Sequence, residues 1–408
     1  ILELFSMFKM CNWNHTTVDI IPLFETISDL KVSSKIMESV YKNTNYREHL
    51  SRRNNQQIIM LGFSDGTKDG GYLMANWSIL KAKESLTSIS RKYGLKAVFF
   101  DGRGGPPARG GGNTHQFYAS MGTFVESDEI QLTVQGQTIS SNFGTVDSCQ
   151  FNLEQLLSAG IQNRLLSSDF NSSKKEDKAI LDNLAKISYD SYNDFKNHPK
   201  FVPYLEHMST IKYYSKTNIG SRPSKRGKID EIFDFKKLRA IPFVGSWSQL
   251  KQNVPGFYGL GTALKHYEDN NRLNDVKKLY KRSAFFRTLI SNSMMSLTKS
   301  FFKLTSYMKD DPEFGEFWTI IKDEYILSKS LILKVSGFKS LMENEPANKA
   351  SIQIREKIVL PLITIQQYAL RQIKEIEKGN LYKSELETYE KMVTRSLFGN
   401  INASRNSA

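Results

Sequence analysis

The stretch FFDGRGGPPARGGGNT, residues 99–114, decides how the rest of this sequence is interpreted. Glycine, proline and arginine make up most of it, so neither a helix nor a central strand is favoured, because glycine loses backbone entropy and proline lacks an N–H. The apolar run that leads into it, Leu95–Phe100, is typical of a buried strand. The stretch is therefore predicted to be a structured loop at a strand end, and not a flexible glycine linker.

The glycine loop, defined here as residues 101–114, has the chemistry of an anion site. Successive backbone amides in turns form concave anion sites, and a guanidinium matches carboxylate or phosphate oxygens in pairs. Arg103 and Arg109 lie six residues apart in this loop. We expect the two arginines to act on the same negatively charged group.

Other polar residues follow predicted strands elsewhere in the first part of the chain. The predicted strands outside the stretch are residues 18–24, 57–63, 130–134 and a strand-like run at 238–246. Strand, polar loop and helix in alternation predict a parallel sheet, and such sheets carry their active sites at the carboxyl ends of the strands. The polar residues expected at that edge are Glu25, Asp65, Arg103, Gln135 and Arg239.

The sequence changes character near residue 250. Lysine-rich helical patterns then dominate, at residues 273–308, 313–336, 347–377 and 384–397. We predict an α/β portion over residues 1–250 that carries the active-site loops, and an all-helical portion over 251–408.

Two carboxylates in the α/β portion are candidates for a metal site. Glu25 and Asp65 follow neighbouring strands, and Mg²⁺ or Mn²⁺ prefers oxygen ligands of this kind. Asp65 also precedes a predicted helix, so an alternative is that it only caps that helix. A basic segment, residues 222–239, is either a lid over a phosphorylated substrate or a solvated loop.

The 408 residues carry a formal charge of +14, from 56 Lys and Arg against 42 Asp and Glu. Positive charge of this size first suggests nucleic acid, but the lysines are spread along helical patterns and no basic run stands alone. A solvated lysine-rich surface explains most of the charge, and small anionic substrates explain the excess near the basic segment. We therefore do not expect nucleic acid as a partner.

Composition limits the class of protein further. Hydrophobic residues make up 39% and aromatic residues 12%, which indicates a folded chain. No apolar run approaches the roughly 18 residues of a membrane span. The two cysteines, Cys11 and Cys149, predict neither a disulfide framework nor a zinc site, so a reducing cytoplasm is expected. The chain begins inside a predicted helix without a methionine, which suggests part of a longer protein.

Several segments together resemble the phosphoenolpyruvate carboxylase family, collinearly from about residue 18 onward. They are PLFETISDL, FSDGTKDGGYLMANW, FFDGRGGPPARGGGNTH, LTVQGQTISSNFG, IGSRPSKR and LRAIPFVGSWSQLKQNVPGFYGLGTAL. The likeness covers the carboxyl-terminal half of the family's longer chain. The last four residues also resemble the family's ending, so we expect the carboxyl terminus to be complete.

The resemblance implies a lyase that carboxylates phosphoenolpyruvate with bicarbonate, supplying oxaloacetate to the tricarboxylic acid cycle, with Mg²⁺ or Mn²⁺ and without biotin. Glu25 and Asp65 would hold the metal, and Arg103, Arg109 and Arg239 would be catalytic. Arg222 would bind substrate together with Arg103 and Arg239. The implied fold is the carboxyl-terminal part of a (β/α)₈ barrel with many additional helices, in a cytoplasmic homotetramer.

The resemblance also implies an effector site for aspartate or malate. The residues at the matching positions are Lys299, Arg355, Asn406 and Arg109. Lys299 and Arg355 lie on otherwise ordinary predicted helices, so a solvated surface is the alternative for both. Because Arg109 also belongs to the glycine loop, the inhibitor would withdraw that loop from the active site.

Three departures from the family pattern stand out. Asp101 replaces the histidine of the family's usual FHGRGG, and it is expected to hold Arg103 or adjust the metal. The basic segment is longer and poorer in glycine than the family's lid. None of the six histidines has the context of the family's catalytic histidine, so a non-catalytic anion-binding fragment is the competing interpretation.

Overall fold

The computed structural model describes residues 1–13, 16–103, 105–134, 137–165, 175–216, 235, 237–379 and 383–404. Three residues predicted from the sequence lie outside the described residues: Gln135, Arg222 and Asn406. Most of the basic segment lies outside them as well, so its assignment as a lid stays a prediction.

A four-stranded parallel sheet supports the glycine loop. Its strands are β1 (Leu23–Phe24), β2 (Gln56–Leu61), β3 (Lys96–Asp101) and β4 (Ile130–Leu132), and their spatial order follows the chain. In the register of β2 and β3, Gln56 lies opposite Lys96 and Leu61 opposite Asp101. All four carboxyl ends therefore meet at one edge, as the alternation of strands and loops predicts.

Sixteen α-helices surround this sheet in the described parts of the chain. They are α1 (Leu2–Met10), α2 (Ile27–Tyr41), α3 (Thr44–Arg52), α4 (Phe63–Lys92), α5 (Thr114–Ala119), α6 (Gln137–Phe143), α7 (Val146–Leu165), α8 (Lys175–Asn197), α9 (Phe201–Met208), α10 (Ala240–Gln249), α11 (Leu260–Asp269), α12 (Leu273–Arg282), α13 (Ala284–Thr298), α14 (Gly315–Ser336), α15 (Pro346–Glu377) and α16 (Leu386–Ser404). Short 3₁₀ segments occur at Pro107–Arg109, Ile211–Lys216, Val254–Gly256, Phe302–Asp310 and Lys383–Glu385. None of the helices described is long and apolar enough to cross a membrane.

The protein is therefore a mostly helical α/β structure, and the barrel is not confirmed. The sheet is open over the described residues, because β1 and β4 each pair with one strand only. Parallel strands in sequential order, with helices between them, are also found in part of a barrel. Four strands are too few to close a barrel.

One strand prediction was wrong, and another was confirmed only at its last two residues. The run at 238–246 forms helix α10, whose residues are buried on nearly every side, and a short apolar run does not distinguish a buried strand from a buried helix. The strand predicted at 18–24 pairs only at Leu23 and Phe24. Pro22 precedes that pair, and its missing N–H cannot join the ladder.

Helix α4 carries the sequence FSDGTKDGG toward the carboxyl edge of the sheet. At Gly71 its backbone leaves the helical region, with φ 74° and ψ 167°, so a short first part precedes a long second part. A side chain at Gly71 would meet the Tyr192 ring at 3.3 Å. The first part of α4, before Gly71, therefore runs in a different direction from the long second part and lies at the ends of the strands.

The largest hydrophobic core joins the sheet to helices from both halves of the chain. It contains Phe24 and Ile59 beside the sheet, Leu184 from α8, and Leu289 and Leu331 from the later helices. A second cluster of aromatic side chains surrounds Trp247 of α10. The division into portions near residue 250 stays a prediction.

Candidate active site

Glu25 and Asp65 lie at the same edge of the sheet. The backbone N–H of Gly62 donates to the carbonyl of Phe24 at 2.9 Å, which joins the end of β1 to the start of α4. A Cβ at Gly62 would lie 3.2 Å from Cγ of Glu25, so this side chain packs directly on the helix start. Asp65 is the third residue of the same helix. The structure therefore brings the two carboxylate-bearing segments together.

The start of α4 does not use Asp65 as its cap. The N-cap position is Gly62, and no side chain forms a capping hydrogen bond there. The carboxylate of Asp65 instead lies in the first turn, where the helix dipole favours negative charge. It also lies close enough to Arg109 to raise the pKa of that arginine against the effect of burial.

The glycine loop is packed and is not a free linker. The N–H of Asn113 donates to Oδ1 of Asn292 in α13 at 3.0 Å. Gly110, with φ 77°, leaves no room for a side chain, because a Cβ would lie 2.8 Å from the carbonyl of Phe63. A Cβ at Gly112 would clash in the same way with Asn292. The loop therefore follows a path that only glycine permits at these two positions.

Arg103 is fixed before any substrate is present. Its Nη1 donates to Oγ1 of Thr114 at 2.8 Å and to the carbonyl of Gly112 at 3.2 Å, and its Nη2 donates to the carbonyl of Asn113 at 3.3 Å. Its guanidinium carbon lies 4.5 Å from the centre of the Phe117 ring. The side chain is only 6% exposed. Arg103 is thus a preorganised cation at the mouth of the loop.

Arg109 is buried against the start of α4. The hydroxyl of Ser64, the residue before Asp65, donates to the carbonyl of Arg109 at 3.1 Å. Burial lowers the pKa of Arg109 to about 10, while Asp65 and Tyr214 act in the opposite direction. The guanidinium therefore keeps its charge at neutral pH.

Lys68 connects Arg239 to this edge. Its Nζ donates to the carbonyls of Phe235 at 2.9 Å and Leu238 at 2.5 Å, and lies 4.5 Å from the centre of the Phe235 ring. Arg239 follows Leu238 directly at the start of α10, and within the described residues its buried Nε has no hydrogen-bond partner. Lys68 thus ties the end of the basic segment to the helix turn that follows Asp65.

Lys68 and its neighbour Asp69 each contact other elements of the fold. Oδ2 of Asp69 accepts the N–H of Ile27 at 3.0 Å, in the first turn of α2. Lys196 of α8 donates to the carbonyl of Asp69. Both residues therefore join separate elements at the carboxyl edge.

Asp101 does not hold Arg103 in the way expected from the sequence. Its Oδ2 accepts hydrogen bonds from Nζ of Lys83 and from the hydroxyl of Tyr118, each at 2.5 Å. The guanidinium of Arg103 bonds to the glycine loop and to Thr114 instead. Sequence reasoning missed Lys83, although it shares a helix face with the buried residues Ile79 and Leu86.

A cavity of about 390 Å³ opens beside the loop. Arg103 and His115 line it on the loop side. Lys299, which follows the last residue of α13, and Arg355 of α15 line it from the other side. It is a cationic chamber of the size that holds a small anionic molecule.

A narrower pocket of about 40 Å³ adjoins this cavity, and Lys299 and Arg355 line both. Lys251 also lines the pocket, and its Nζ donates to Oε1 of Glu356 at 2.5 Å. The pKa of Lys299 is lowered to about 8. Burial is the largest cause, and repulsion from Lys251 and Arg355 adds to it. Of the three predicted effector residues that the structure describes, Lys299 and Arg355 therefore come together, whereas Arg109 lines neither of these two cavities.

A metal ion at this edge would depend on few protein ligands. No group of three or more His, Cys, Asp and Glu residues suited to a metal occurs in the part of the chain that the structure describes. Glu25 and Asp65 are two carboxylates on adjoining segments of this edge, and Mg²⁺ is often held by one or two carboxylates together with water and substrate oxygens. The donor set therefore fits Mg²⁺ or Mn²⁺ better than a metal that needs a full protein cage.

Comparison with known protein families gives one finding. The model of the family described as Phosphoenolpyruvate carboxylase matches residues 1–404. The match includes β1–β4, the glycine loop and all of the helices described above.

Proposed function

The chain belongs to the phosphoenolpyruvate carboxylase family, and from that premise we propose that it carries catalytic residues for the carboxylation of phosphoenolpyruvate by bicarbonate. The observation that carries the proposal is the meeting of Glu25, Asp65 and Arg109 at the carboxyl edge of the sheet, with Arg103 held rigidly in the same loop. The products are oxaloacetate and phosphate, and biotin takes no part.

The proposed reaction begins with phosphoryl transfer. An oxygen of bicarbonate attacks the phosphorus, and the bond between phosphorus and the enol oxygen breaks, which gives carboxyphosphate and the enolate of pyruvate. Carboxyphosphate then releases carbon dioxide and phosphate, and the enolate carbon attacks carbon dioxide. Negative charge moves onto the enolate oxygen and the phosphoryl oxygens, so fixed cations lower the barrier.

Arg103, Arg109 and Arg239 are the proposed catalytic cations, and Arg222 is a further proposed substrate contact. Support for Arg103 comes from its rigid hydrogen bonding and from its place in the cavity wall. Arg239 is supported by its attachment, through Leu238 and Lys68, to the turn that carries Asp65. Donors fixed in advance need no reorganisation when charge develops.

Glu25 and Asp65 are the proposed ligands of Mg²⁺ or Mn²⁺. When bound, the ion would supply Lewis-acid stabilisation of the enolate and phosphoryl oxygens. The protein's own contribution is to hold two carboxylates on a strand end and a helix turn that are joined through Gly62. Nearby Arg109 offsets part of the negative charge of Asp65 before substrate binds.

The cationic pocket shared by Lys299 and Arg355 is the proposed effector site for aspartate or malate, together with Asn406 and Arg109. Two positive side chains that line one pocket suit a dicarboxylate. Arg109 lies against Ser64 and Asp65, so its recruitment by the inhibitor requires the loop to leave that position. A homotetramer is the proposed assembly of the full-length protein.

A non-catalytic anion-binding role is the second candidate. It is favoured by the cationic cavity, which exists without the family's catalytic histidine context. Both candidate functions require the protein to bind phosphoenolpyruvate, but only the enzyme forms oxaloacetate.

The test is to measure phosphoenolpyruvate binding by calorimetry and oxaloacetate formation by a coupled assay, on this chain and on the product of its complete coding sequence. Binding with turnover in either protein supports the enzyme. Binding in both without oxaloacetate supports the anion-binding role, and no binding in either contradicts both.

A further inference from the structure

A buried ion pair lies directly behind the glycine loop. Asp101 is the last residue of β3, Lys83 lies in α4 and Tyr118 in α5, so the contact joins three elements. Both Nζ of Lys83 and the hydroxyl of Tyr118 donate to the same oxygen, Oδ2 of Asp101. The three residues are 1%, 0% and 2% exposed in the order Lys83, Asp101 and Tyr118.

The environment of Lys83 makes its counter-ion essential. Its Nζ lies 5.0 Å from the centre of the Phe99 ring and 5.4 Å from that of the Tyr118 ring. Burial lowers the pKa of this lysine, and the carboxylate of Asp101 acts against that effect. Aromatic faces stabilise a buried ammonium only in part, so Asp101 supplies the compensating charge.

The same contact controls where Arg103 lies. Arg103 follows Asp101 by two residues, so the end of β3 fixes its backbone. Its guanidinium rests on Phe117 and donates to Thr114, and both belong to α5 together with Tyr118. The bond from Tyr118 to Asp101 therefore ties the platform under the guanidinium to the strand that carries its backbone.

A histidine at position 101 would not replace this arrangement. A neutral imidazole would leave the Lys83 ammonium without a counter-ion, and an imidazolium would repel it. The second carboxylate oxygen, Oδ1, is buried and has no hydrogen-bond partner among the described residues. The carboxylate of Asp101 thus serves as the counter-ion of Lys83. A lysine at position 83 therefore requires an acidic residue at position 101.

We propose that Lys83, Asp101 and Tyr118 form a buried positioning unit for Arg103, and that Asp101 acts through this unit without touching substrate. The proposal rests on the proposed function for the role of Arg103 in turnover. The coupling between Lys83 and Asp101 is independent of that role.

The first arm of the test measures stability. Asp101→His and Lys83→Gln are made singly and together, and thermal unfolding of each is compared with that of the unaltered protein. We expect each single change to lower Tm by several degrees, and the double change to restore most of the loss. Lys81→Gln is the control, because Lys81 lies on the same helix in an exposed pair with Asp182. Additive losses, or a stable Asp101→His protein, overturn the unit.

The second arm measures positioning. Tyr118→Phe keeps the ring and removes only the hydroxyl bond to Asp101. We expect kcat/KM for phosphoenolpyruvate to fall by about tenfold or more, because a small displacement of a fixed group is costly, while Tm changes little. The double variant also lacks the carboxylate that accepts from Tyr118, so we expect it to recover stability while its kcat/KM stays as low as that of Tyr118→Phe.

Unchanged kcat/KM in Tyr118→Phe overturns the positioning role. A double variant that regains Tm but has a kcat/KM far below that of Tyr118→Phe shows that Asp101 acts on the reaction by more than this bond, which also overturns it. If the unaltered protein carries out no carboxylation, the proposed function fails, and the loss of phosphoenolpyruvate affinity in Tyr118→Phe, measured by calorimetry, then decides the positioning role.

Discussion

At the scale of single residues, Arg103 and Arg109 carry the main functional prediction. Each is buried and charged, and each lies in a loop that is clamped to neighbouring helices. We expect Arg103→Ala and Arg109→Ala to lower kcat about a hundredfold or more, because each removes a fixed cation from developing negative charge. Lysine should restore little activity at either position, because it lacks the planar fork.

Steady-state carboxylation kinetics of the full-length protein check this prediction. Arg91→Ala is a suitable control, since the Arg91 side chain is 54% exposed, pairs with Glu126 and lies in the last turn of α4, at the opposite end of that helix from Asp65. Near-normal kcat in either loop variant would show that the loop is not part of the catalytic site.

The two carboxylates give a separate prediction about metal dependence. Glu25→Gln and Asp65→Asn keep the shape of each side chain and remove its charge. We expect the Mg²⁺ concentration for half-maximal rate to rise about tenfold or more in each. Asn43→Ala, which removes a true helix cap on α3, should lower stability by about 1 kcal/mol and leave the metal dependence unchanged. An Asp65→Asn protein that behaved like the cap variant would contradict the metal assignment.

Lys299 predicts how inhibition depends on pH. Because its pKa is lowered to about 8, this lysine loses its charge as the pH rises through 8, where a solvated lysine stays protonated. A dicarboxylate needs that charge, so the inhibition constant for aspartate should rise between about pH 7 and about pH 9. Lys299→Arg should flatten this dependence, and Lys303→Ala, at an exposed position nearby, should not. A constant that stays level across this range in the unaltered protein would remove Lys299 from the effector site.

At the scale of elements, the sequence predicts the central strands well and the buried helices poorly. The predicted strands at 57–63 and 95–100 correspond to β2 and β3 within two residues, because each is an apolar run bounded by polar loops. The run at 238–246 gives no comparable boundary, and only its burial among other helices makes it helical. The local sequence pattern therefore predicts whether a segment is a strand or a helix when polar residues mark one of its faces or ends.

The candidate site shows the same division. Glu25, Asp65, Arg103 and Arg109 can be found from the sequence because they follow strands or lie among glycines. Asn292, which clamps the loop, lies in the middle of α13 and meets Asn113 only in three dimensions. No local signal marks a residue whose partner is far away in the chain.

Gly71 gives a prediction for element geometry. A side chain there would have to adopt φ 74° and would meet Tyr192 at 3.3 Å, so Gly71→Ala should lower the free energy of unfolding by about 1–3 kcal/mol. Gly94 also has a positive φ, of 69°, but nothing lies within 4 Å of an added Cβ. Gly94→Ala should therefore cost less in urea unfolding. Equal losses would show that backbone strain alone, and not the contact with Tyr192, sets the requirement for glycine at the break in α4.

At the scale of the whole molecule, the helices of the later portion complete the site. Lys299 of the segment after α13 and Arg355 of α15 line the cavity that Arg103 reaches from the sheet. The largest core likewise joins the sheet to α13 and α14. The cavity beside the glycine loop thus depends on packing between residues more than half the chain apart, which motif spacing alone cannot show.

The proposed reaction requires that bicarbonate, and not water, attacks the phosphoryl group of phosphoenolpyruvate. The most direct measurement incubates the full-length protein with phosphoenolpyruvate, Mg²⁺ and ¹⁸O-labelled bicarbonate, and analyses the phosphate by mass spectrometry. If bicarbonate is the nucleophile, each phosphate released carries one ¹⁸O atom, and oxaloacetate forms with it. Unlabelled phosphate accompanied by pyruvate would contradict it, because water would then be the nucleophile.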